Sequence, residues 1–138
     1  MKTVEIDSLA LEAAGRALRP GEPVQMLNML RYREHALYQD GSGQTPCSGR
    51  TAYFERYLPV FRRLASDIAP KRVFLGSVLA KLVGPEGARW DDALIVEYPS
   101  YEAFRAVVGS DAYREEAAPH RLAALEDARL FAIGKQTR

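Results

Sequence analysis

The chain has 138 residues, of which 47% are hydrophobic and 27% are charged, and its formal net charge at pH 7 is +1. The length suits one domain with a substantial core, and the even mixture of acidic and basic residues argues against nucleic acid as the main partner. No apolar run approaches the roughly 20 residues of a membrane span, and the start of the chain, with Glu5 and Asp7, lacks the pattern of a signal peptide. We therefore expect a cytoplasmic protein with no membrane partner.

Hydrophobic periodicity and turn residues predict the order of helices and strands. Ser8 is the expected N-cap of the first helix, and Ser100 is the expected N-cap of a later one. The longest loop, 36–49, is rich in Gly, Ser and Thr. The predicted elements are helix 8–18, strand 24–32, helix 50–68, strand 71–84, strand 92–99, helix 101–109, helix 111–127 and strand 128–135.

After the first helix, and with the adjacent helices 101–109 and 111–127 counted as one helical unit, this order is βαββαβ. It predicts an α+β, ferredoxin-like fold. Such a fold has a four-stranded antiparallel sheet with its helices on one face. We expect a single domain over 1–138, with its core in 24–135 and a helical extension in 1–23. A short pseudo-repeat, A-Y-x-E-x-x-x-P, occurs at 52–59 and again at 112–119, in the two helices that the fold relates.

The composition of the strands predicts a homodimer. An antiparallel sheet with one wet face alternates apolar and polar residues, whereas both alternating sets of strand 71–84 are mainly apolar. The N-terminal helix is too short to cover a whole sheet face. A second copy of the sheet is the simplest cover, because two-fold dimers are the commonest assembly.

The segment 92–125 resembles the DUF1330 family, in which an apolar strand ends in an aromatic residue and proline and is followed by a Ser-led helix. A tyrosine, a proline and an arginine come next in the helical segment. The matching residues here are Tyr98, Pro99, Ser100, Tyr113, Pro119 and Arg121. The resemblance extends over roughly 24–135 and implies a dimeric α+β barrel, in which two ferredoxin-like sheets pack face to face. It implies no particular reaction, because relatives in that superfamily differ in chemistry.

The Pro-His-Arg sequence at 119–121 is the first candidate site. Proline lacks an N–H and clashes with the preceding helical turn, so we expect a kink or a fresh helix start at Pro119. Free backbone N–H groups, His120 and Arg121 would then converge on an anion. In the alternative, Arg121 pairs with a carboxylate such as Glu116 or Glu55, and His120 is a solvated helix residue.

Other candidate ligand contacts lie on strand 24–32 and helix 50–68. Asn28 stands inside an apolar strand, and a buried amide must satisfy several hydrogen bonds. Arg31 is either an anion ligand or a surface charge. Tyr53 and Tyr57 share one helix face and either pack in the core or donate hydrogen bonds to a ligand. The sequence contains no dinucleotide-binding or phosphate-binding motif and no histidine pair at metal spacing, so we expect neither a cofactor nor a metal.

Two functions remain open from the sequence. In the first, an apolar cavity holds a small anionic or aromatic compound, and the protein is a cofactor-independent enzyme of monooxygenase or isomerase type with His120 as its base. In the second, the protein is a non-catalytic homodimer that binds a small ligand or another protein. A cavity of several hundred Å³ ringed by the candidate residues would favour the first, whereas a fully packed interior would exclude it.

Overall fold

The computed structural model describes residues 1–137, and a four-stranded antiparallel sheet in the order β2-β3-β1-β4 is its centre. The strands are β1 (Val24–Tyr32), β2 (Lys71–Ser77), β3 (Asp92–Tyr98) and β4 (Leu125–Ile133). The helices are α1 (Ser8–Ala17), α2 (49–64), α3 (Tyr101–Val108) and α4 (111–124). The predicted α+β, ferredoxin-like arrangement is confirmed.

The predicted bounds are accurate where an element ends at a strong local signal. Strand β1 has the predicted bounds, and the Ser100 hydroxyl accepts from the Ala103 N–H at the start of α3. Several other bounds were wrong, including the end of the helix predicted as 50–68, which stops at Leu64. Strand β2 ends at Ser77 rather than at residue 84, because its partner β3 begins only at Asp92. The last helix ends at Ala124, so β4 begins three residues earlier than predicted.

The cap of α1 also differs from the prediction. The carboxylate of Asp7, not the hydroxyl of Ser8, accepts from the N–H groups of Leu9 and Ala10. An aspartate is as good an N-cap as a serine, and its position one residue earlier sets where the helix begins.

Both copies of the pseudo-repeat form a π-helical turn immediately before their proline. In α2 this turn is Ala52–Tyr57, and in α4 it is Tyr113–Ala117. The residue before each proline donates its N–H five positions back, Leu58 to the Tyr53 carbonyl and Ala118 to the Tyr113 carbonyl. The widened turn relieves the conflict between each proline ring and the preceding turn.

The predicted helix start at Pro119 is therefore wrong. Ala118 has helical angles, with φ −54 and ψ −38, and the backbone continues through the proline into the last turns of α4. No set of free N–H groups opens at this point, because the π turn keeps the Ala118 N–H bonded within the helix. An anion site at a new helix end is thus excluded here.

The two faces of the sheet differ in what covers them. Along β1, buried residues alternate with partly exposed ones, and the buried set faces α2 and α4. Helix α1 packs on this same side, where the Tyr101 hydroxyl donates to the Leu11 carbonyl. The opposite surface, which we call the helix-free face, carries Leu27, Met29 and Ile95 and is uncovered in the single chain.

Candidate ligand-binding cavity

A cavity of about 270 Å³ lies on the helix-covered face of the sheet, between β1, β3 and α2. Its walls are mostly aromatic and aliphatic, and they include Met26, Phe61, Leu94, Val96, Tyr98 and Phe104. Its polar lining consists of Asn28, Tyr53, Tyr57, Arg62, Arg72 and Arg121, and no carboxylate lines it. Ligand sites of this type are usually apolar hollows of about 300–1,000 Å³ with a few placed polar groups, so this one suits a small molecule.

Arg121 is the buried charge of the cavity. It is only 5% exposed, its Nε donates to the Val4 carbonyl at 3.2 Å, and its side chain also interacts with the hydroxyls of Tyr53 and Tyr57. No carboxylate in that part of the chain forms an ion pair with it. Glu116, a partner that the sequence suggested, binds Arg63 at 2.7 Å instead.

Tyrosine hydroxyls and rings take the place of a carboxylate around this arginine. The guanidinium carbon lies 5.8 Å from the centre of the Tyr57 ring, and the Tyr57 and Tyr113 hydroxyls are 2.8 Å apart. Burial acts to lower the pKa of Arg121, but Tyr57, Tyr53 and Tyr113 raise it by more, so that its pKa lies above the usual value. The arginine therefore stays charged at every physiological pH.

The tyrosines themselves are neutral hydroxyl groups. Burial raises the pKa of Tyr53, Tyr98 and Tyr113 well above that of an exposed phenol, although the charge of Arg121 works in the opposite direction. At neutral pH none of these three supplies a phenolate base. Tyr53 and Tyr98 line the cavity and offer O–H donors and ring edges to whatever occupies it, whereas the Tyr113 hydroxyl contacts that of Tyr57 outside the lining.

The Asn28 amide is hydrogen-bonded to the sheet through its nitrogen. Its Nδ2 donates to the carbonyls of Met26 and Leu94, at 3.3 and 3.2 Å, which holds the amide plane against the sheet. Its Oδ1 receives no hydrogen bond from residues 1–137, and the side chain lines the cavity. The amide oxygen is therefore an acceptor for a ligand hydroxyl or N–H.

The structure does not bring His120 to this cavity. Its Nδ1 lies 2.7 Å from the hydroxyl of Tyr38, which belongs to the loop 36–49. Burial lowers the pKa of His120, and the positive charge of Arg56 lowers it further. Successive helix residues point about 100° apart, so His120 faces the loop while Arg121 faces the cavity, and the predicted convergence of the two is wrong.

Arg31 also lies away from the cavity. Side chains alternate between the two faces of a strand, so Arg31 is on the helix-free face while Asn28, three residues before it, is on the covered one. Arg31 therefore does not contribute to the cavity that Asn28 lines. Asn28, Tyr53, Tyr57 and Arg121 are the predicted residues that the fold brings together.

Sequence reasoning missed several residues of the site. Tyr113, which contacts the Tyr57 hydroxyl from behind the lining, had a signal, because it occupies the position of Tyr53 in the pseudo-repeat. Arg62 and Arg72 had none, because each comes from a different element and only the packing of α2 against the sheet places both at one cavity. No group of three His, Cys, Asp or Glu side chains in residues 1–137 is arranged to hold a metal ion.

A second cavity, of about 450 Å³, lies between the N-terminal segment, α1 and β4. It shares Ile6, Met26, Phe104 and Arg121 with the first. Arg121 therefore stands in the wall between two hollows, and the N-terminal segment contributes to both. No helix in residues 1–137 has the length and apolar character needed to cross a bilayer.

Comparison with solved structures gives a full-length match. The RPA0582 protein from Rhodopseudomonas palustris, described as a protein of unknown function, is 31% identical, and the match covers 100% of both chains with a TM-score of 0.83. A methylated form of RPA0582 is 32% identical over 99% of this chain and 96% of that one, also with a TM-score of 0.83. No protein-family model matches the chain, and the search of curated proteins found no match.

Proposed function

This chain belongs to the same protein family as RPA0582 of Rhodopseudomonas palustris, and from that premise we propose that it binds a small anionic molecule with an apolar or aromatic body. The observation that carries the proposal is Arg121, a buried guanidinium in a cavity whose lining contains no carboxylate. The resemblance to DUF1330 remains a hypothesis beside this membership.

The energetics of burial favour an anion as the missing partner. Removing a charge from water costs several kcal/mol unless an opposite charge and hydrogen bonds compensate for the loss. The structure gives Arg121 one backbone carbonyl and neighbouring phenol groups. A ligand carboxylate would add the charge-assisted, two-pronged contact for which a guanidinium is shaped.

The rest of the lining selects the body of the ligand. The rings of Tyr53, Tyr57 and Phe61 form one wall, and Leu94 and Val96 of the sheet form another. These surfaces favour an apolar or aromatic group, while the Asn28 amide oxygen favours a hydroxyl or N–H on it. The ligand is thus an amphipathic small acid rather than inorganic phosphate.

Binding does not by itself imply catalysis. The sequence suggested His120 as the base of a cofactor-independent enzyme, but His120 contacts Tyr38 outside the cavity. The buried tyrosines are protonated donors, as their raised pKa values indicate. We therefore favour a ligand-binding protein over a monooxygenase-like or isomerase-like enzyme.

We propose in addition that the protein is a homodimer through the helix-free face. The register of the sheet aligns Phe74, Ile95, Leu27 and Phe131 in one row across all four strands. Phe74 and Phe131 are each 53% exposed, and beyond β2 the segment 78–84 exposes Leu79 almost completely. A second copy of the same face is the occupant that matches this row in extent and character.

The binding proposal is tested by thermal melts with a panel of small carboxylates. A ligand that binds only the folded state adds about 2.7 kcal/mol to the free energy of unfolding at about 100 times its Kd. We expect stabilisation of the wild type and its loss in Arg121→Gln and Arg121→Lys, because lysine does not reproduce the guanidinium fork. Arg63→Gln, which changes an arginine of α2 that binds Glu116 outside the cavity, is the matched control.

Two results would contradict the binding proposal. One is that no carboxylate of the panel raises the melting temperature of the wild type. The other is that the rise is as large in Arg121→Gln as in the wild type. Arg121→Lys, which keeps the charge, ensures that a loss of binding in Arg121→Gln is not merely a loss of folding.

A further inference from the structure

The charge of the cavity continues from its interior to its mouth. Three arginines line it: Arg121 is buried, while Arg62 and Arg72 are exposed at the surface. Neither of the two outer arginines forms an ion pair with a carboxylate of residues 1–137. The lining thus combines one buried guanidinium with two exposed ones, and most of its other side chains are apolar.

A β-bulge directs Arg72 toward this cavity. In the ladder between β2 and β3, Arg72 pairs with Val96 and Phe74 pairs with Ile95, with a register shift between them. In a regular strand, residues 72 and 74 would share one face. The extra residue places Arg72 with Val96 on the cavity side and Phe74 with Ile95 on the helix-free face. Bulges that re-aim a side chain in this way are over-represented next to functional sites.

Arg62 and its neighbour Arg63 differ in their ion pairing and in whether they line the cavity. Both lie on α2, and both are exposed. Arg63 binds Glu116 at 2.7 Å and does not line the cavity, whereas Arg62 lines it and has no carboxylate partner in the described part of the chain. The two arginines therefore provide an internal contrast between a structural ion pair and a free positive charge at the cavity mouth.

We infer that the ligand carries two anionic groups, one at each end of an apolar body, and is a dicarboxylate rather than a monocarboxylate. This inference rests on the proposed function. The inner carboxylate binds Arg121, and the outer one binds Arg62 and Arg72 at the mouth. The inner contact is shielded from solvent and the outer one is exposed, so salt screens the outer contact more strongly.

The test uses linear dicarboxylates from glutarate to sebacate, each paired with its own monomethyl ester. The ester keeps the length and one carboxylate but lacks the second charge. Binding is measured by titration calorimetry on the wild type, on the double variant Arg62→Gln with Arg72→Gln, and on the control Arg63→Gln. The series of lengths serves to find the chain that reaches from one end of the cavity to the other.

At the best-fitting length, we expect the dicarboxylate to bind the wild type and Arg63→Gln about fivefold more tightly than its monomethyl ester, since exposed ion contacts contribute up to about 1 kcal/mol. The double variant should bind both members of the pair equally. Rising salt should diminish the preference in the wild type. Equal binding of each acid and its ester by the wild type at every length would overturn the inference.

The same experiment separates this inference from the proposal on which it rests. Monomethyl esters that bind the wild type but not Arg121→Gln, with no gain from the second carboxylate, would support the anion cavity and refute the dianion. Failure of all acids and esters to bind would refute both. A preference for dicarboxylates that persists in the double variant would refute the roles of Arg62 and Arg72.

Discussion

The two faces of the sheet contrast in what they bury and what they expose. The helix-covered face buries Arg121 without a carboxylate, while the helix-free face exposes a row of aliphatic and aromatic side chains. Each reverses the usual distribution, in which charges are solvated and large apolar groups are covered. The reversal supports both proposals, which are a small anion inside one face and an apolar surface on the other.

The largest expected effect comes from placing a charge in the middle of the helix-free face. Ile95 lies between Phe74 and Leu27 in the apolar row. In a dimer, Ile95→Asp would bury an unpaired carboxylate in each copy and weaken association by several kcal/mol. We expect light scattering to show a wild-type dimer and a folded Ile95→Asp monomer at micromolar concentration.

The control for that prediction places a carboxylate on the same face, but at its polar end rather than in the apolar row. Gln25 pairs with Glu97 at that end, and Gln25→Glu should leave the dimer intact. A wild type that is monomeric at micromolar concentration would refute the interface, as would an Ile95→Asp variant that remains dimeric.

The sequence predicted one face of the sheet better than the other. The apolar character of the helix-free face was evident in the strands, because alternation is a local pattern. Asn28, Tyr53, Tyr57 and Arg121 were recognised as candidates by residue type, and the fold brings them together. The sequence left open whether they share a cavity or pack in a filled interior, because that depends on the packing of distant elements.

The two errors at the site have physical reasons. His120 was expected beside Arg121 because proline usually breaks a helix, but a π-helical turn before Pro119 keeps the helix continuous and directs His120 toward Tyr38. The position of Arg72 depends on a β-bulge that no residue pattern in β2 announces. A rule based on single residues fails where one extra residue in a turn or ladder changes a side chain's direction.

A second prediction sharpens the distinction between the ligand-binding and structural roles of Arg121. Replacing a well-packed core residue, as in Leu30→Ala, should lower the free energy of unfolding by about 2–5 kcal/mol, because Leu30 is fully buried. Arg121→Met removes the hydrogen bond to Val4 and the polar contacts with neighbouring tyrosines, but also a buried charge that has no carboxylate partner in residues 1–137. We expect a change within about 1 kcal/mol in chemical denaturation without ligand.

The opposite result would identify a structural arginine. Breaking a buried ion pair by removing one partner costs about 3–5 kcal/mol. A loss of that size in Arg121→Met, with no effect of added carboxylates on either protein, would mean that Arg121 stabilises the fold and has no ligand. The Leu30→Ala variant supplies the scale for that comparison in the same denaturation series.

The smallest expected effect concerns the contact between His120 and the loop 36–49, which lies outside both faces. The Nδ1 of His120 and the Tyr38 hydroxyl are hydrogen-bonded at 2.7 Å, and the pKa of His120 is lowered by burial and by Arg56. The unfolded chain, with a histidine pKa of about 6.5, therefore takes up the proton at a higher pH than the folded protein does. The resulting contribution to stability is fully present above the unfolded pKa and is lost as the pH falls through the folded pKa. Melting temperatures measured across this range should decline toward acid more steeply in the wild type than in His120→Gln, and Arg56→Gln should weaken the dependence. Parallel pH profiles for all three proteins would show that this histidine does not link the loop to α4.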